Sequence, residues 1–177
     1  MVLFIFGYSQ ELPFKMKRIT TKVGDEFEVQ IDEAHKKYFQ YVANDLTQLN
    51  SSVIRTFKTK YRNDQSFTLK EIVTDEIDFY AHVVLKWGIQ LNLWKKIGSI
   101  NEVGNVDVFF RDSNDYGNPE IKVSYDWRIW KINEPFQNIG KLEGVFQKAE
   151  IGVVVTATDI VERMTNGKYD FVYPSYE

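Results

Sequence analysis

Hydrophobic and polar residues alternate in a short segment near the start of the chain. Within residues 26–31 every second position is apolar, namely Phe27, Val29 and Ile31. This period of two is typical of a strand with one buried face. The preceding residues 23–25 (VGD) have the composition of a turn. The pattern predicts a first strand that enters a sheet through this turn.

The segment KKYFQYVANDLTQLNSSVIRTF (residues 36–57) continues the pattern. It predicts a second strand over residues 37–43 and a third over residues 53–57, joined by a polar turn. In the second strand Phe39 and Tyr41 share one face. We expect these two rings to lie in the core and the opposite face to be covered by other elements. The three strands would form an antiparallel meander.

Two capping-box patterns predict helices. In a capping box, the first side chain accepts a hydrogen bond from the helix N-terminus, and an acidic side chain three residues later bonds back. TLKE at residues 68–71 predicts a helix that runs to about residue 75. DIVE at residues 159–162 predicts a helix that ends at the Asn-Gly pair at 166–167, as is usual for a helix C-terminus.

Further strands are expected between and after these helices. Residues 78–87 alternate, with Trp87 on the apolar face, and their β-branched and aromatic residues favour a strand over a helix. For residues 89–98 the sequence does not decide between a short helix and a continuing strand. We expect Trp94 to be packed in either case. Four other segments have the composition of strands: 106–110, 121–125, 127–132 and 151–155.

These elements predict an α+β, mostly β fold. We expect an antiparallel meander, in an SH3-like or small curled barrel, with two or three short helices. A chain of 177 residues is the size of one domain, so residues 16–177 are expected to form a single β-rich domain. Residues 1–15 are expected to be a loosely attached arm, an over-extended start or an extra edge strand. Their five consecutive apolar residues form neither a complete signal peptide nor a membrane span.

Composition narrows the class of protein. The sequence is 44% hydrophobic and 27% charged, which is typical of a globular domain. It contains no cysteine, which excludes disulfides, cysteine zinc sites and a thiol nucleophile, and favours a reducing cytoplasm. The net charge of −3 argues against nucleic-acid binding, because phosphate contacts favour a basic face.

Catalytic and metal-binding patterns are not evident in the sequence. A nucleophilic triad needs a histidine beside a serine and a carboxylate; we expect His35 in an exposed turn and His82 partly buried in a strand. DSNDYG at residues 112–117 imitates the start of a calcium loop but lacks the later ligands, so we interpret it as a hairpin loop. We therefore expect no enzyme activity, cofactor or metal. A hydrolase that uses two facing carboxylates stays open, since sequence spacing does not show facing groups.

The acidic segment at residues 102–126 is the predicted partner-binding surface. It has six acidic residues against Arg111 and Lys122, and a tyrosine at the expected hairpin tip. Complementary charge accelerates association with a basic partner, and aromatic side chains provide anchoring contacts. A loop that only aids solubility is the alternative. The candidate contact residues are Asp112, Asp115, Tyr116, Glu120 and Asp126.

A second candidate surface is basic and lies next to Phe57 and Tyr61. Basic side chains beside rings can bind single-stranded nucleic acid through phosphate contacts and base stacking. The alternative function is therefore a small nucleic-acid-binding β-barrel module. Lysines on an edge strand also prevent unwanted strand pairing. The basic residues are Arg55, Lys58, Lys60 and Arg62.

Three stretches together resemble the immunity protein 26 family of bacterial polymorphic-toxin systems: VGDEFEVQID (23–32), residues 36–57, and DEIDFYAHVVLKWGIQLNLWKKIG (75–98). The resemblance covers most of residues 16–176 and includes a GD-led first strand, an aromatic second strand, the DFYAH strand and late tryptophans. It implies a mostly β cytoplasmic protein that binds a cognate toxin protein and blocks it without catalysis. It gives no catalytic residues and no toxin-contacting residues, and the oligomeric state stays open.

Overall fold

The computed structural model describes residues 20–177, so the expected arm at residues 1–15 lies outside the described residues. This part of the chain forms eleven strands, three α-helices and one 3-10 helix. The strands are β1 (Asp25–Gln30), β2 (His35–Asp45), β3 (Ser51–Phe57), β4 (Tyr61–Arg62), β5 (Ile77–Val83), β6 (Lys95–Ser99), β7 (Phe109–Ser113), β8 (Trp127–Lys131), β9 (Gln137–Gly140), β10 (Glu150–Ile151) and β11 (Val154–Val155). The helices are α1 (Leu69–Val73), α2 (Leu85–Gln90), α3 (Ala157–Asn166) and the 3-10 helix (Gly144–Lys148).

The strands form two open sheets. The larger has the order β11-β5-β3-β2-β1-β6, with β4 paired to β2, and the smaller has the order β10-β7-β8-β9. The first three strands pair in an antiparallel meander, as predicted. The α+β, mostly β class is thus confirmed. The expected barrel does not form in residues 20–177, because β6 and β11 end the larger sheet at opposite edges and do not pair with each other.

Both faces of the larger sheet are buried. On one face Phe39 and Tyr41 join a core cluster that includes Trp94 and residues of α2 and α3, so their predicted core position is confirmed. On the other face the smaller sheet packs through Phe110 and Trp130. Beside it, α1 packs its buried Ile72 on the same face. The larger sheet is therefore the central layer of the fold.

Helices α1 and α3 begin with side-chain caps. Thr68 and Glu71 form the predicted capping box of α1. For α3 the prediction was wrong by three residues, because Thr156 is the cap and Asp159 is its bonding partner in the first turn. Gly167, with φ of 78°, ends α3 at the predicted place, since a residue without a Cβ adopts this left-handed conformation without strain.

The segment that was expected to be one strand over residues 78–87 changes to a helix after Val83. As a result Trp87 is 63% exposed, and the prediction that it shares the apolar face of a strand with the buried Phe79 and Val83 is wrong. Trp94 is buried instead, as predicted. Its ring lies against Gly88 of α2, where an added Cβ would be 2.1 Å from the ring. The close approach of Trp94 therefore needs glycine at this position.

Three later strand predictions differ from the structure. The strand expected over 106–110 forms three residues further on, as β7. Residues 121–125 form a loop with a single bridge, from Val123 to Ser175. The strand expected over 151–155 is divided into β10, which pairs with β7, and β11, which pairs with β5. Gly152 lies between the two pieces.

Candidate partner-binding site

The acidic hairpin loop, residues 114–126, connects two antiparallel strands, β7 and β8, and carries most of the predicted contact residues. Two buried serines hold it together. Ser113 Oγ donates to Ser124 Oγ at 2.7 Å, and Ser124 Oγ donates to the Asp115 carboxylate at 2.6 Å. The same Ser124 oxygen accepts from the backbone N–H of Asp126 at 3.1 Å. The loop is therefore fixed from inside by hydrogen bonds.

The C-terminal tail fixes the loop from outside. The N–H of Ser124 donates to the Ser175 carbonyl at 2.9 Å, and the N–H of Ser175 donates to the Lys122 carbonyl at 2.8 Å. The Tyr116 ring packs against the ring of Tyr173, with their centroids 5.3 Å apart. The aromatic tail thus lies on the body of the protein and supports the loop.

Asp112 is a correction to the predicted contact set. Its side chain is almost fully buried, since the residue is 4% exposed. The carboxylate forms an ion pair with Arg128 and accepts a hydrogen bond from the Tyr173 hydroxyl at 3.3 Å. A buried carboxylate with these partners supports the loop from below and does not reach its outer surface.

The other four predicted residues lie in the loop itself. Asp115 is half-buried through its bond to Ser124, whereas Glu120 and Asp126 are exposed. Tyr116 is 42% exposed, and Tyr125, which was predicted to lie in a strand, is 65% exposed. Apolar residues alternate in residues 121–125, which suggested a strand there. Tyr125 was therefore not named as a candidate contact residue. We call these five residues the acidic loop surface: Asp115, Tyr116, Glu120, Tyr125 and Asp126.

The basic candidate surface is different from its prediction. Arg55 is buried, and its guanidinium donates to the side-chain oxygen of Gln40 at 2.8 Å. Phe57 is fully buried in the cluster below α1, so its ring is not available for stacking on a base. The other three basic side chains are exposed and form ion pairs: Lys58 with Glu76, Lys60 with Asp32, and Arg62 with Asp64.

A segment after β6 covers the face of the larger sheet that carries Arg55. The carbonyl of Glu102 accepts from both Gln40 and Arg55, and the carbonyl of Asn105 accepts from the Tyr80 hydroxyl. Glu26 in β1 pairs with Gln40 in β2, which in turn pairs with Arg55 in β3, so the three side chains lie on the same face of the larger sheet. Glu26 is fully buried, and neither carboxylate oxygen has a hydrogen-bond partner within residues 20–177.

Burial raises the pKa of Glu26 from 4.5 to about 8, although Arg55 opposes the shift. Between these two values the folded protein holds a proton that the unfolded chain has lost. The free energy of unfolding should therefore fall as pH rises, by up to about 1.4 kcal/mol per pH unit. Glu26→Gln should remove this slope in urea unfolding at several pH values inside the window. Equal slopes for the variant and the wild type would contradict the prediction, and the exposed Glu33→Gln is the control.

His82 is a structural residue in this fold. It is fully buried, and its Nε2 lies 2.9 Å from Oδ2 of the equally buried Asp45. Burial lowers the pKa of His82, so the ring is neutral near pH 7. No substrate could reach this pair without opening the sheets. His35 begins β2 beside a turn and is partly exposed, with Nδ1 2.8 Å from Asp32.

Helix α2 carries an exposed apolar stripe that sequence reasoning missed. Val84, Trp87 and Leu91 have helical spacing on one side of α2, and all three are exposed. The exposed Leu49 and Val84 line one shallow depression. Leu49 has a φ of 57°, which is uncommon for a side chain of this size. The sequence signal for this stripe was the spacing of three and then four residues between Val84, Trp87 and Leu91. This helical period lay in a segment that was interpreted in part as a strand.

Other kinds of site were also sought in residues 20–177. No group of three or more histidine and acidic side chains in this part of the chain is arranged to hold a metal ion. None of its helices has both the length and the apolar character needed to cross a bilayer. No protein-family model, curated protein or solved structure matches this chain at a significant level.

Proposed function

We propose that this protein is a non-enzymatic immunity protein that binds a cognate bacterial toxin domain in the cytoplasm and neutralises it. The observation that carries the proposal is the acidic loop surface, where exposed carboxylates and two exposed tyrosines are held on a rigid support. Because the loop is already ordered, binding costs little conformational entropy. The resemblance to the immunity protein 26 family supplies the class of partner.

The charge of the loop favours a basic partner. Glu120 and Asp126 are exposed and form no ion pair within the described residues, so their charge is available to a partner. Opposite charges across an interface accelerate association, and tyrosines at the centre of an interface often supply much of the binding energy. We therefore propose that the toxin presents a basic patch to this loop.

The nucleic-acid module is the weaker alternative. Its proposed surface has a buried arginine and a buried ring, and its exposed basic side chains are already paired with acids. Salt-sensitive binding of a single-stranded oligonucleotide by the purified protein would favour that module instead.

The test uses the toxin domain that this proposal expects to be encoded next to the gene. Co-expression should rescue a sensitive host and give a stable one-to-one complex. The variant Glu120→Lys/Asp126→Lys should slow association by about tenfold or more, because it replaces attraction with repulsion at an exposed surface. Association rates measured on immobilised toxin check this prediction. Asp112 is left unchanged in the variant, since its replacement would disturb the buried support of the loop.

The matched control is Glu33→Lys/Glu134→Lys, which makes the same change of charge at exposed acids outside the loop. It should leave the specific contact intact. An equal decrease in rate for both variants would indicate a general charge effect and contradict the loop assignment. A complex that is lost with Trp87→Ala but kept with the loop variant would instead locate the contact on the α2 stripe.

A further inference from the structure

A cavity lies between the end of α3, β10 and the C-terminal tail. Its volume is about 510 Å³, which is in the range of small-molecule sites. Four of its lining residues are basic, and Glu150 is its only acidic one. We call it the basic cleft, and its charged residues are Arg111, Lys148, Glu150, Arg163 and Lys168.

The two arginines of the basic cleft are held in place by neighbouring groups. Arg163 has its guanidinium 3.8 Å from the centroid of Phe79 and 4.8 Å from that of Tyr169, and it pairs with Glu150 at 3.2 Å. Arg111 donates from Nη1 to the Gln147 carbonyl at 2.6 Å. Their positions are therefore set before any ligand arrives.

Both arginines keep unused hydrogen-bond donors. A guanidinium has five N–H groups, and the bonds of Arg111 and Arg163 within residues 20–177 each use one terminal nitrogen. The Nε of Arg111 is buried without a partner in this part of the chain. Lys148 and Lys168 are exposed at the cleft and form no ion pair with other described residues. The cleft thus combines positive charge with free donors in a chain whose net charge is −3.

Two features limit the opposing charge and shape the ligand. Glu150, the one acidic residue in the lining, is already paired with Arg163, so the lining keeps an excess of positive charge. The rings of Tyr169, Phe171 and Tyr173 line the remaining wall. Arginine forks match the geometry of phosphate oxygens, and aromatic walls suit a flat organic group.

We propose that the basic cleft binds a small phosphate ester whose organic part is a planar ring. The arginines and lysines would hold the phosphate, and the aromatic wall would contact the ring. This site shares no residue with the acidic loop surface, although Tyr173 of its wall packs against Tyr116. Its occupancy can be measured without a toxin.

The test is isothermal titration of the full chain with adenosine monophosphate, which carries both parts of the proposed ligand. Saturable one-to-one binding is expected. Lys148→Gln/Lys168→Gln should weaken it by about tenfold, since two charged contacts to phosphate are lost. Both lysines are exposed, so the variant should keep the wild-type melting temperature. Adenosine, which lacks the phosphate, should bind at least tenfold more weakly.

The matched control is Lys70→Gln/Lys86→Gln, which removes the same charge from exposed positions outside the cleft. Its affinity should equal that of the wild type at fixed ionic strength. The proposal is overturned if the wild type shows no saturable binding of adenosine monophosphate. It is also overturned if the control variant loses as much affinity as the cleft variant.

Discussion

Phe39→Ala is expected to lower the free energy of unfolding by about 3–5 kcal/mol, the usual cost of removing a buried ring. Phe39 is fully buried. Its ring stacks on Phe27, with centroids 4.9 Å apart, and meets the edge of Trp94 at 5.1 Å. The substitution therefore removes apolar contacts on two sides and leaves a cavity between the larger sheet and its covering helices.

Urea unfolding of the wild type and the variant, monitored by tryptophan fluorescence, measures the loss. Tyr125→Ala is the control, because it removes a ring that is mostly exposed, and it should change stability by less than about 0.5 kcal/mol. A Phe39→Ala midpoint as close to the wild type as that of the control would show that the ring is not part of a tightly packed core.

Asp45→Ala is the second large effect, with an expected loss of about 3–5 kcal/mol. The Asp45 carboxylate is fully buried and accepts hydrogen bonds from His82 and Trp130, each at 2.9 Å. It also accepts from the N–H groups of Thr47 and Asn133, each at 3.0 Å. Alanine would leave these donors unsatisfied, and each buried one costs about 1–3 kcal/mol.

The same carboxylate joins both sheets, since His82 belongs to the larger sheet and Trp130 to the smaller one. Asp45→Asn should cost less than Asp45→Ala, because the amide oxygen can still accept from part of this set. Urea unfolding and near-ultraviolet circular dichroism, which reports on Trp130, check the result. Asp170→Ala is an exposed control and should be close to neutral. An alanine variant at position 45 that is as stable as this control would contradict the bonding described for Asp45.

Local patterns in the sequence were sufficient for part of the fold. The first three strands follow from alternation within short segments, and the box that caps α1 follows from residues 68–71. Gly167 marks the end of α3 in the same local way. These elements could be predicted because each signal lies within a few residues of the structure that it specifies.

The features of the fold that could not be predicted depend on contacts between residues that are far apart in the sequence. Val84 and Trp87 favour a strand, but α2 begins at Leu85, and its Gly88 lies against the buried Trp94. The hydrogen bond between Asp45 and Trp130 joins residues that are 85 positions apart. Sequence spacing gives no sign of it.

The candidate sites show the same division. Tyr116, Glu120 and Asp126 could be named because charge and aromatic content are visible in the sequence. The burial of Asp112 could not, because it depends on Arg128 in β8 and on Tyr173 in the tail. The basic cleft brings together residues from β7, β10, α3 and the tail. Its charges are scattered along an otherwise acidic half of the chain.

Residues 150–155 contribute one strand to each sheet. This limits where the gene could be divided without removing a strand from a sheet. β10 completes the smaller sheet and β11 completes the larger one, with only Gly152 and Val153 between them. A gene fragment that ended before this point would encode both sheets without one edge strand each. The two sheets are therefore not equivalent: the smaller one lies within residues 109–151, whereas recombination that kept the larger one whole would have to transfer residues 25–155, most of the described chain.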